Sequence, residues 1–108
     1  MSGDSIRITV FLKHDQAKTL EEIDEVLFEQ GFWSDFPPEG VEIVNWQVLM
    51  GIGQVVTLEM PPDKVRPVNV MIEKSAWGAF RTEFYSTYDF LPVLEAKRAE
   101  AKRRGEEK

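Results

Sequence analysis

Cysteine is absent from the 108 residues, which excludes disulfides, thiolate metal ligands and cysteine nucleophiles together. Histidine occurs once, at His14, with no carboxylate–histidine spacing of the kind that holds a metal, so neither a metal nor a cofactor is expected. No apolar run approaches the roughly 20 residues needed to span a bilayer. The N-terminus also lacks a basic patch followed by an apolar segment, so a cytoplasmic protein with no membrane partner is expected. Cations are in deficit as well: 13 Lys and Arg face 19 Asp and Glu, and the basic residues gather near the C-terminus instead of forming a stripe. That distribution counts against a nucleic-acid partner.

What is present suits one folded domain. Hydrophobic residues make up 43% of the chain and aromatic residues 11%, enough for a core and far from the composition of a disordered segment. Ile6, Ile8, Val10 and Leu12 alternate with Arg7, Thr9, Phe11 and Lys13, the period of a strand buried on one face. Thr19 and Glu22 have capping-box spacing before a helix carrying Leu20, Ile23 and Leu27, and Gly31 stands where a left-handed C-terminal cap is wanted. Phe32 to Gly40, with Pro37 and Pro38, reads as an irregular crossing. Val41–Met50 and Gln54–Met60 read as strands around a Gly51-Ile52-Gly53 turn. A strand, not a helix, follows those glycines, so they are not a phosphate loop. Asp63 is the expected cap of a second helix with Val65, Val68 and Ile72 on one face, and Trp77-Gly78 ends it. Phe80–Tyr88 alternates as a fourth strand. Beyond Pro92 the chain is rich in Glu, Lys, Arg and Ala, and an exposed helical tail over residues 93–108 is expected to follow a domain over residues 1–92.

The order βαββαβ, connected by right-handed crossovers, predicts an α+β, ferredoxin-like fold. Its four-stranded antiparallel sheet has strand order 4-1-3-2, with both helices on one face and the C-terminal helical tail beyond. Alternation assigns Ile6, Ile8, Val10, Leu12, Val44, Trp46, Val48, Met50, Val56, Leu58, Met60, Phe80, Thr82 and Phe84 to the covered face. The bare face receives Arg7, Thr9, Phe11, Lys13, Asn45, Gln47, Leu49, Val55, Thr57, Glu59, Arg81, Glu83 and Tyr85. Apolar residues interleaved with charges of both signs suit a surface half-buried against a second copy. The plain alternative is a solvated face with a few tolerated apolar residues.

In element order and face polarity, residues 6–90 resemble the dimeric α/β-barrel superfamily. Gly31-Phe32-Trp33 after the first helix and the aromatic lead-in Trp77 to Phe80 resemble its muconolactone-isomerase-like members. The resemblance implies a homodimer with one pocket per subunit. Such pockets serve isomerisation, cofactor-free oxygenation, dehalogenation or haem handling on small, often aromatic or lactone-like compounds. It carries no catalytic motif onto particular residues here.

The residues themselves supply candidates. His14 ends the first strand, and an unperturbed imidazole pKa of about 6.5 suits proton transfer near neutrality. Its plain alternative is a loop residue beside Asp15. Arg81, Glu83 and Tyr85 share one face of the fourth strand, so Arg81 can anchor a carboxylate while Glu83 shuttles a proton. The alternative is a set of ion pairs with Arg7 and Lys13. Glu59 is a second carboxylate on that face, separated from Glu83 by the first strand. Phe11, Trp33, Tyr85, Glu59 and Gln47 are the expected walls of a ligand site. A catalytic or ligand-binding homodimer, acting as an isomerase or cofactor-free monooxygenase on a small aromatic or carboxylated compound, is therefore set against a non-catalytic dimerisation or assembly module.

Overall fold

A computed structural model describes residues 5–106, and the elements follow from local chemistry. Strand β1 spans Ile6–His14. Helix α1, Leu20–Glu29, opens on the capping box: Thr19 Oγ1 accepts from Glu22 N at 3.1 Å, and Thr19 N donates to Glu22 Oε1 at 2.8 Å. It stops at Gly31, whose φ of 82° is the left-handed conformation that terminates helices. The expected irregular crossing begins with a single helical turn, α2, Phe32–Asp35. Strands β2, Glu42–Leu49, and β3, Gly53–Met60, form the hairpin. A Cβ on Gly53 would lie 2.0 Å from the Leu12 carbonyl oxygen, so only glycine lets β3 start this close to β1.

Helix α3, Val65–Ser75, is not capped by Asp63. The chain enters it through a 3₁₀ turn, Pro62–Lys64, which takes over the role expected of that side chain. Pro67 falls in the first turn, where its missing N–H leaves no helical bond unmade. Strand β4 spans Phe80–Thr87, and helix α4, Leu91–Glu106, closes the described chain. Asp89 Oδ1 accepts from Leu91 N at 2.9 Å at the start of α4.

The four strands form one antiparallel sheet in the order β2-β3-β1-β4, which is the expected 4-1-3-2 seen from the other edge. Ile8, Val10 and Leu12 of β1 and Val56, Leu58 and Met60 of β3 are buried in one core with Ile23 and Leu27 of α1 and Val68 and Ile72 of α3. Both helices thus cover the same face. Among the described residues no helix is long and apolar enough to cross a membrane.

Strand β2 departs from simple alternation. Ile43 pairs with Leu58 but Asn45 pairs with Thr57, so Val44 is an extra, bulged residue. The bulge shifts the parity of everything before it and puts Ile43, not Val44, in register with core residue Leu58, though both stay exposed. Val48 and Met50, assigned by alternation to the covered face, are 70% and 91% exposed. They lie on or just past the end of an edge strand, and neither belongs to the core. Trp46 does pack against it.

Replacing Leu58 with Ala is expected to lower unfolding free energy by about 2–5 kcal/mol, because the cavity cost adds to lost burial. Replacing Met50 with Ser should change it by less than about 0.5 kcal/mol. Urea unfolding midpoints of the two variants measure the contrast.

Candidate functional site

The bare sheet face is ordered in four cross-strand rows. Glu42, Glu59, Arg7 and Thr87 form the first, and Asn45, Thr57, Thr9 and Tyr85 the second. The third contains Gln47, Val55, Phe11 and Glu83, and the fourth Leu49, Gly53, Lys13 and Arg81. Two ion pairs form on this face, one within the first row and one between the third and fourth. Arg7 Nε donates to Glu59 Oε1 at 2.9 Å, and Lys13 Nζ donates to Glu83 Oε2 at 3.1 Å. The ion pairs foreseen with Arg7 and Lys13 therefore form inside one chain. Thr9 and Thr57 hydroxyls lie 3.1 Å apart, and the Phe11 and Tyr85 rings meet edge to face at 5.8 Å.

The candidate residues gather at the end of the sheet around and beyond the fourth row. There β1 gives way to a loop, β4 begins, and the β2–β3 turn folds across. His14 N–H donates to the Ile52 carbonyl at 2.8 Å and Asp15 N–H to the Ala79 carbonyl at 3.1 Å, fastening the three segments together. Between them lies an open cleft of about 320 Å³, lined by Lys13, His14, Gln16, Ile52, Arg81, Thr82 and Glu83. His14, Arg81 and Glu83, the three candidates for chemistry, thus come to one cleft. The half-buried His14 ring stacks on Phe80, with centroids 5.9 Å apart and planes 20° from parallel.

The electrostatics divide the roles. The Lys13 ammonium, with a hydrogen bond from the Tyr85 hydroxyl to Glu83 Oε1 at 3.1 Å, holds the Glu83 carboxyl below its ordinary value of 4.5, and Arg81 adds to the effect. Glu83 therefore remains a carboxylate. Arg81 is exposed, and among the described residues its guanidinium has no hydrogen-bond or ion-pair partner. With Lys13 already paired, the cleft keeps an available cation.

Trp33 lies on the other side of the imidazole. A second cavity, about 290 Å³, is bordered by His14, Trp33, Gln54, Phe80 and the inner side of α1. The Trp33 indole stacks on Trp46 at 6.2 Å and donates from Nε1 to Asp24 Oδ1 at 3.2 Å, while Trp46 Nε1 donates to Gln54 Oε1 at 2.6 Å. Phe11 and Tyr85 stay on the open face near Glu83, and Gln47 stays on it at the opposite edge of the sheet; all three are outside the lining of the cleft. Glu59 is in the first row, two rows from Glu83, and does not join it.

Gln16, Ile52 and Thr82 enter the cleft without having been singled out from sequence. Ile52 reaches it only because the hairpin turn folds over β1, a long-range contact with no local signature. A further cavity of about 440 Å³, on the α3 side of β4, is bordered by Arg81 and by Trp77, which is 72% exposed. Among the described residues, no three His, Asp or Glu side chains are grouped to hold a metal ion. A scan against protein-family models and a search of curated proteins return no match to the chain.

Because the folded-state pKa of Glu83 is depressed, its ionisation stabilises the fold above the unfolded glutamate value, and that contribution is lost as pH falls through the lower folded value. Wild type is therefore expected to be more stable than Glu83→Gln at pH 7. The gap should close progressively below the ordinary value of 4.5, as followed by denaturant midpoints across an acid series.

Proposed function

We propose that the chain is a homodimeric, ferredoxin-like protein of the dimeric α/β-barrel type that binds a small carboxylated, aromatic compound at the end of its sheet and moves a proton on it. The observation that carries this reading is the 320 Å³ cleft gathering His14, Arg81 and Glu83, of a size that suits a small ligand. Arg81, the available cation, is the anchor for a carboxylate, which its planar guanidinium can hold with two hydrogen bonds. The Glu83 carboxylate is held too acidic to carry a proton efficiently near neutrality, where a shuttle works best with a pKa close to ambient pH. We therefore assign proton movement to His14, and to Glu83 the alignment of Lys13 and Tyr85 around the ligand. Proton transfer of this kind serves an isomerase; cofactor-free oxygenation would use the same base to make a substrate carbanion.

The dimer is argued from the bare face. Phe11 and Val55 meet in its third row, and Tyr85 is 52% exposed beside them. Charges can be buried against a partner only when paired, and Arg7–Glu59 and Lys13–Glu83 are paired before any partner arrives. A second sheet laid over this face would place Phe11, Tyr85, Gln47 and Glu59 as walls and leave the cleft as the mouth, with Trp33 on the far side of His14. The lack of cysteine fits a reducing, cytoplasmic setting. The same pre-paired charges also fit a purely structural interface, a non-catalytic assembly module. Ligand binding separates the two.

Light scattering is expected to give at least twice the chain mass, and Val55→Lys, which sets an unpaired charge in the third row, should lower it. Benzoate titrated against the protein, followed by intrinsic tryptophan fluorescence or by NMR, should bind with Arg81→Ala weakening it by about tenfold, the loss of one charge-assisted bidentate contact. If Arg81→Ala and Glu83→Gln bind benzoate as the wild type does, the cleft is not a carboxylate site.

A further inference from the structure

Helix α4 is not accounted for by the sheet or by the cleft. It is 16 residues long, yet none of its described residues is buried and none joins the core. Its extension makes the radius of gyration 18.3 Å, against about 13 Å for a compact chain of this length. A lone helix of this length is marginally stable in water, and most helices in proteins are held by packing one face against something. The apolar residues of α4 do not form a stripe along it. Leu91, Val93 and Leu94 are confined to its first turn, and beyond them the helix carries charged residues, alanines and one glycine.

The charges are arranged unevenly. Arg103 and Arg104 both pair with Glu100 inside the helix, Arg104 Nε at 2.7 Å. Lys97, Arg98 and Lys102 have no hydrogen-bond or ion-pair partner among the described residues. Arg98 and Lys102 are four residues apart and share a face, with Leu94 four residues before them on the same line.

The complementary surface is on α1. That helix carries Glu21, Glu22, Asp24, Glu25 and Glu29 and no cation. Glu22 is committed to the capping box and Asp24 to the Trp33 indole. Glu21, Glu25 and Glu29 are exposed, lack partners among the described residues, and repeat every four residues, so like charges stack along one line. Glu29 is also at the negative end of the helix dipole, with no basic residue in the last turn to offset it. Beside this line Leu20 and Phe28 are 64% and 62% exposed, one at each end of the helix.

We infer that α4 of one copy docks along the acidic face of α1 of a second copy. The spacings match in either direction: Arg98 meets Glu25, Lys102 meets the glutamate one turn away, and Leu94 with Leu91 covers Leu20 or Phe28. Within one chain, α4 leaves from the far end of β4, at Thr87, on one edge of the sheet, whereas α1 borders one cavity lined by Val48 and Leu49 of β2 at the other edge and a second that reaches β4 only at its first residue, Phe80. A second copy is the occupant that brings the two helices together. This contact uses the helix layer, not the bare sheet face, and goes beyond the dimer proposed above.

A charge-exchange cycle on the full chain tests it, with self-association measured by sedimentation over a dilution series. Arg98→Glu with Lys102→Glu should weaken association by about tenfold, as should Glu21→Lys with Glu25→Lys and Glu29→Lys, and the combined protein should regain most of the loss. Raising salt from about 0.05 to about 0.5 M should weaken wild type toward the charge-reversed variants. Additive losses without rescue overturn the docking. So does a rescue seen only in melting temperature and independent of protein concentration, because it would place both helices in one chain. The cycle repeated with Val55→Lys separates this contact from the sheet-face dimer. Rescue that persists there supports the helix contact whatever the sheet face does. A monomeric Val55→Lys with no rescue in either background leaves the sheet face as the only interface and overturns the helix contact.

Discussion

Strand β1 is paired on both sides, with β3 through Ile6–Lys13 and with β4 through Arg7–His14. Hydrogen bonding on two sides leaves β1 no freedom to slip, because a one-residue shift would carry Ile8, Val10 and Leu12 out of the core and Arg7, Phe11 and Lys13 into it. Its alternation therefore sets the polarity of the whole sheet. The helices close over one side of it, and the other side acquires its rows of paired charges. The cleft depends on the same strand: His14 is where the pairing stops, so the imidazole stands at the boundary between a rigid ladder and the loop that rims the site.

Elements whose boundaries are set locally could be read from the sequence. Thr19, Glu22 and Gly31 delimit α1 by satisfying or ending its own backbone hydrogen bonds, and the structure forms those contacts. The strand order followed from the order of the elements and from handedness. What escaped the reading was decided between segments. The extra residue at Val44 is invisible to a period of two, because a bulge is defined by its partner strand. Val48 and Met50 carry the right residue types for a core but fall at the end of an edge strand, where they stay exposed. Asp63 had the chemistry of a cap, but two preceding prolines, Pro61 and Pro62, favour the 3₁₀ turn that replaced it.

The site shows the same division. Strand-end positions brought His14, Arg81 and Glu83 to one place, since residues that close β1 and open β4 are neighbours in an antiparallel pair. Phe11 and Tyr85 were correctly placed on the bare face, though neither lines the cleft within a single chain. Lys13 was foreseen as an ion-pair partner, but its effect on Glu83, which keeps that carboxylate ionised, needed the actual 3.1 Å contact. Gln16 and Ile52 required the hairpin to fold across β1, which nothing near them in sequence announces.

The bulge at Val44 has a consequence for how copies of the chain can meet. Strand β2 is an edge, and an edge with an even row of free amide and carbonyl groups invites another strand to add on, chain after chain, without limit. Val44 breaks the evenness of that row midway between Glu42 and Gln47 and bends the strand, so an incoming strand cannot keep its register along β2. Open-ended growth of the sheet is thereby discouraged at the edge that carries exposed Val48.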